Sequence, residues 1–219
     1  MQDSTVADSS ANPGEDKSVI ALAVFPLAAY CLFLAFLHGR RRPTVFSGTV
    51  DLLFLAIGSS GLFLAGPGRL FLPLNVLTFW GAGAWILWTM FYIIVVLLVV
   101  QKLRRRIIVY NCSTVDMVSH LGEVVRNFDS SAASLGNSMM LPQQGIQFYI
   151  EVASRSRNVV LVATGSTQNV AAWRRLETAI DLSFRTISIS RGSVAWFFLV
   201  AACLLIGVGF QSLVLDYFS

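Results

Sequence analysis

Charge is scarce in this sequence. Asp, Glu, Lys and Arg make up 13% of its 219 residues, against about 25% in ordinary soluble domains. Hydrophobic residues reach 55%. That balance excludes a disordered chain and argues against a water-soluble monomer. Cysteine is also scarce. Cys31, Cys112 and Cys203 are too few and too scattered for a disulfide framework. Histidine occurs twice, as His38 and His120, and neither has an obvious catalytic companion. The chain has no phosphate-binding GxxxxGK[ST] loop, no dinucleotide-type glycine turn, no CxxC, no HExxH and no nucleophile elbow. No catalytic constellation is left, so the expectation is a non-enzymatic protein without a cofactor.

What is present is four long apolar stretches, at residues 18–37, 49–65, 79–100 and 194–215. A helix rises about 1.5 Å per residue, so about 20 residues cross a bilayer core. Four such stretches without polar faces cannot all be buried in a soluble chain of this size. They are read as four transmembrane helices. The preceding residues 1–17 carry Asp3, Asp8, Glu15 and Asp16 against Lys17 alone. That is the wrong charge for a secretory leader, so they are expected to form a disordered tail outside the cell.

Orientation follows from the basic residues. Arg40, Arg41, Arg42, Lys102, Arg104, Arg105, Arg106, Arg185 and Arg191 fall on one side of the spans, and Lys17 and Arg69 on the other. The richer side is cytoplasmic by the positive-inside rule. Both termini are then outside, and residues 101–193 face the cytoplasm. The first seven of these residues are also candidates for contact with lipid headgroups. Trp80, Trp85 and Trp88 towards the outer end of span three, and Trp196 at the inner end of span four, suit the aromatic belts.

The segment from 107 to 190 balances six acidic against six basic residues. The basic excess indicated by a pI near 9.3 is therefore mostly juxtamembrane, and nothing in the segment suggests a nucleic-acid partner. Arg106 to Tyr110 reads as a strand. A helix capped by Ser113 or Thr114 follows, with Val118, Leu121, Val125 and Phe128 as its apolar stripe. The chain breaks at Asp129-Ser130-Ser131, and 135–141 reads as one strand. After a turn from Pro142 to Gly145, Ile146, Phe148, Ile150 and Val152 alternate as in a half-buried strand. Residues 154–158 read as a hairpin connection. Val159 to Thr164 is apolar on both faces, as in a central strand. Ser166 or Thr167 is the expected cap of a second helix with the stripe Val170, Trp173, Leu176, Ile180 and Phe184. The expected fold is a four-span helical bundle with a cytoplasmic α+β two-layer sandwich, in the order β-α-β-β-β-α, inserted between spans three and four. Residues 18–100 would hold the first three spans, 101–193 the α+β domain, and 194–219 the fourth span with a short outer tail.

A few residues carry candidate chemistry. Asp116, His120 and Glu123 share one helix face and could offer ligands to a divalent metal, against the plain reading of a solvated face. Cys112 reads as a small packing residue rather than a reactive thiol. Asn111-Cys-Ser113 matches a glycosylation sequon, on the side of the membrane where it carries no weight. Asp51 is the lone carboxylate within an apolar run. It either opens span two at the interface, where the helix dipole favours an anion, or lines a transport path. Ala56/Ser60 and Gly61/Ala65 form small-xxx-small pairs, and Gly207 and Gly209 could serve the same close packing in span four. The expected function is interaction or regulation by the cytoplasmic domain, with the bilayer and a protein partner or second copy as partners. The alternatives are a transporter or channel subunit that uses Asp51, and a membrane enzyme acting on lipid.

Overall fold

A computed structural model describes residues 13–67, 79–112, 114–153, 158–165, 168–186 and 194–217. Four of its helices are long and apolar enough to cross a membrane: α1 (Pro13–Gly39), α2 (Gly48–Ala65), α3 (Ala82–Lys102) and α6 (Val194–Tyr217). None has an amphipathic pattern, because each is apolar around its whole circumference. α1 starts at Pro13, so the last residues of the expected tail are helical. The first twelve lie outside the described residues. α1 packs most extensively against α6 and then against α2. Glycine makes the α1–α2 approach possible. A Cβ on Gly61 would stand 2.4 Å from the Leu22 carbonyl oxygen, and one on Gly58 would stand 2.6 Å from Tyr30 Cβ. The close contact thus uses Gly58 and Gly61 rather than the pair Ala56/Ser60. In α6, Gly209 meets Phe25, whereas Gly207 faces open space.

α3 is the barest of the four helices, with 6% of its apolar window buried. Its contact with α2 is local. Phe63 stacks on Trp88 and tilts against Tyr92, and the Tyr92 hydroxyl donates to the Ala56 carbonyl at 2.6 Å. A donor that reaches a neighbouring helix in this way adds polar glue to an otherwise apolar contact.

The remaining elements are β1 (Thr44–Ser47), β2 (Arg106–Tyr110), α4 (Thr114–Phe128), β3 (Ala133–Leu135), β4 (Ser138–Leu141), β5 (Ile146–Ala153), β6 (Asn158–Ala163) and α5 (Val170–Phe184). The strands form one antiparallel sheet in the order β1-β2-β6-β5-β4-β3. Two features correct the expected order of four strands. The stretch 135–141 is a hairpin rather than one strand, because Gly136 at φ +60° opens a two-residue turn between β3 and β4. The sheet also gains β1 from the link between α1 and α2, paired to β2 from Thr44↔Tyr110 to Ser47↔Ile107. The sheet is therefore not wholly an insertion between the third and fourth apolar helices.

One face of the sheet carries α4 and α5. Ile107, Val109, Leu141, Ile146, Phe148, Ile150, Val159 and Leu161 bury there against Met117, Leu121 and Val125 of α4 and Trp173, Leu176, Ile180 and Phe184 of α5. The α4 stripe is turned from the expected one: Met117 is buried and Val118 is exposed. Val170 of α5 is likewise exposed. The cap of α5 is Asn169, whose side-chain oxygen accepts from the N–H groups of Ala171 and Ala172; Ser166 and Thr167 lie outside the described residues.

The opposite face is not left to solvent throughout. Ile108 and Tyr110 of β2 bury against Leu34 and Leu37 of α1, joined by Phe46 of β1, Val160 of β6 and Phe198 of α6. At its β1-β2-β6 end the sheet is thus the middle of three layers, which explains why the stretch from Val159, now β6, reads as apolar on both faces.

Candidate functional site

The ends of α1, α2 and α6 meet the sheet around Tyr110, the last residue of β2. Strand alternation puts Tyr110 on the face opposite Val109, toward the apolar helices. Its ring meets Phe46 edge-on at 6.1 Å and His38 at 5.6 Å. Its hydroxyl donates to Asp51 Oδ1. Asp51 lies in the first turn of α2, where the helix dipole favours its charge. Burial pushes the Tyr110 hydroxyl well above the usual tyrosine range, and the bond to Asp51 and the charge of Asp51 push it the same way. Tyr110 is therefore a neutral donor to a carboxylate, a pairing stronger than one between two neutral groups. The sequence marked Asp51 but not its partner, which lies 59 positions away.

His38 is 2% exposed. Its Nδ1–H donates to the Leu34 carbonyl at 2.9 Å, one turn back in α1, and its ring packs between Tyr110 and Phe198. Next in the chain, Asn111 takes a left-handed φ of +57° and is fully buried. Its Nδ2 donates to the Arg40 carbonyl at 2.7 Å, which ties the end of β2 to the link after α1. That burial closes Asn111 to glycosylation. Cys112 is buried in the sheet core, as a packing residue would be. Of the other cysteines, Cys31 is half-buried and Cys203 is exposed.

The remaining candidates are spread out. His120 turns its ring edge-on to Phe184 at 6.3 Å, and Glu123 is exposed. The Asp116 side chain lies outside the described residues. Among the described residues, no three His, Cys, Asp or Glu side chains are grouped to hold a metal ion. Arg40, Arg41 and Arg42 are exposed, and the Arg40 guanidinium sits 4.4 Å from the Phe36 ring centroid. Lys102, Arg104 and Arg105 are exposed, and Arg106 is half-buried.

A buried acid went unmarked in the sequence. Asp129, at the end of α4, is 1% exposed. Its Oδ1 accepts from the Ser131 N–H at 2.9 Å and the Ser131 hydroxyl at 2.6 Å, and its Oδ2 accepts from the Gln143 N–H at 3.1 Å. Burial alone would raise its pKa, but donors from Ser131, Gln144 and Gln143 outweigh burial and hold it below the usual carboxylate range. The carboxylate joins the α4 exit to the turn after β4, a structural task. The signal for it was the Asp-Ser-Ser turn composition.

What the joint can do is mechanical. The Asp51 carboxylate and the Tyr110 phenol bond to each other, the Asn111 amide nitrogen donates to the Arg40 carbonyl and His38 bonds back within α1, while Asn111 Oδ1 is buried without a partner among the described residues. Comparison with protein-family models, with curated proteins and with solved structures finds no significant match to this chain.

Proposed function

We propose that this chain is a multi-pass membrane protein of non-enzymatic type. Its four apolar helices cross the bilayer with both termini outside, and its sheet domain serves protein interaction or regulation in the cytoplasm. Its partners are the bilayer and either another protein or a second copy of the chain. The observation that carries this reading is the joint. The sheet domain is not a bead on two tethers. It shares a buried cluster with α1 and α6, and it is latched to α2 by the Tyr110–Asp51 bond. A partner seated on such a domain acts on the helices directly, because packed elements move as units.

The same bond bears on the transport alternative. A carboxylate that carries ions or protons must be free to exchange them, whereas Asp51 is held by a buried phenol. The test is ion flux in liposomes. The reconstituted chain is expected to show no proton or cation flux that depends on Asp51, and Asp51→Asn is expected to insert equally. A flux that disappears in Asp51→Asn at equal incorporation would replace this reading with a transporter.

A further inference from the structure

On the flank of the joint, the start of α2, the link from α3 to β2 and one side of α5 enclose a cleft of about 550 Å³. Its lining includes Gly48, Arg104, Arg105, Arg106 and Arg174, against one carboxylate, Glu177. We propose that this cleft is a binding site for a phosphate group, carried either by an anionic lipid headgroup or by a small soluble molecule.

Four observations converge on an anion. First, the opening turn of α2 borders the cleft, and Ser47 at the cap position makes no side-chain bond to it. The free N–H groups of a helix start carry partial positive charge. Second, the Arg106 side chain is laid across that same turn. A Cβ on Gly48 would stand 2.1 Å from Arg106 Cγ, so the glycine is what admits the arginine. A cation placed on a helix start is electrostatically unfavourable; Asp51 in the same turn offsets part of that cost, and an anion bound in the cleft would offset more. Third, Arg106 Nε is buried and has no hydrogen-bond partner. A buried donor on a charged group is costly when unmet, and a guanidinium held by no protein acceptor at Nε is a natural partner for phosphate through its other donors. Fourth, Arg174 joins the cluster from α5, on the sheet domain. Residues that merely orient spans lie beside them in sequence, so orientation does not account for Arg174. The opposing charges are Glu177 in the lining and Asp51 in the first turn of α2, the latter held by Tyr110, and the four arginines outnumber them. The lipid source rests on the membrane reading above, because the cleft adjoins the end of α3. The soluble source does not.

The test uses the full chain, purified and delipidated in non-ionic detergent. Inorganic phosphate is titrated in one arm. Mixed micelles with phosphatidylglycerol are used in another, with phosphatidylcholine as the baseline. Binding is followed by phosphorus NMR of the probe. Saturable binding is expected, and Arg105→Gln combined with Arg174→Gln should weaken it at least about tenfold. Gly48→Ala should weaken it similarly by displacing Arg106. The paired arginine variant alters exposed side chains and keeps the test decisive if Gly48→Ala folds poorly. Response to phosphatidylglycerol alone assigns a headgroup, and response to inorganic phosphate assigns a soluble ligand. The proposal is overturned if neither probe binds above baseline, or if the paired arginine variant binds as tightly as the parent. Phosphate binding in detergent would stand even if the helices proved not to span a bilayer.

Discussion

Replacing Tyr110 by Phe removes a single oxygen atom from the joint. The ring keeps its place, because its contacts with Phe46 and His38 do not involve the hydroxyl. What is lost is one hydrogen bond to a charged acceptor, typically worth about 1.5–3 kcal/mol. Asp51 is half-buried and can recruit water once the phenol is gone, so the cost should fall at the low end, about 1.5 kcal/mol. Asp51→Asn keeps an oxygen acceptor but loses the charge, together with a helix-start term of about 0.3–1 kcal/mol. The two substitutions should be non-additive by about 1 kcal/mol, since they break the same bond. The phenol also sets a pH dependence. Folded Tyr110 keeps its proton to higher pH than an unfolded tyrosine, whose pKa is about 10. Its contribution is complete below that pH and is lost as the pH rises further, because the unfolded chain releases the proton first. Tyr110→Phe should remove that part of the alkaline loss. Unfolding in mixed micelles, followed by circular dichroism at several pH values, measures each term. A Tyr110→Phe variant within about 0.3 kcal/mol of the parent, with additive double substitution, would refute the latch.

Two further expectations concern the sheet domain. Trp173 is 3% exposed and meets Phe148 edge-on at 6.2 Å; Trp173→Ala should cost about 3–5 kcal/mol, read as faster proteolysis of the sheet domain in the folded chain, and unchanged resistance would contradict the packing. Asp129 has a lowered pKa, so its contribution is present above the unfolded value of about 3.9 and is lost as the pH falls through the folded one. Acid titration should therefore destabilise the parent more than Asp129→Asn, and identical acid profiles would contradict the assigned hydrogen bonds.

The sequence was legible where a pattern is local and strong. The alternation from Ile146 to Ile150 marks β5, and the apolar run from Val159 marks a strand buried on both faces, which β6 is. The stripe through Trp173, Leu176, Ile180 and Phe184 marks the inner face of α5. What stayed hidden depends on distant partners. β1 has four residues, too few for periodicity to register, and it is a strand because β2 lies beside it. In α4, Met117 and Val118 are both apolar, and the sheet decides which turns inward. Asp51 could be recognised as unusual from its apolar surroundings, but its role depends on Tyr110, which only the folded sheet delivers. The arginine cleft is the same case. Arg104 to Arg106 read as an orientation signal and as headgroup contacts, and neither Gly48 nor Arg174 carries a local mark that would add them to the group.

Insertion of the apolar helices with the sheet domain on the inner side is decided by labelling single cysteines in intact cells. In a background where Cys31, Cys112 and Cys203 are replaced by Ala, Ser10→Cys reports on the leading segment and Gln143→Cys on an exposed position of the sheet domain. An impermeant maleimide should label position 10 in intact cells and position 143 only after lysis. Labelling of position 143 in intact cells, with position 10 protected, would contradict the orientation and the function built on it.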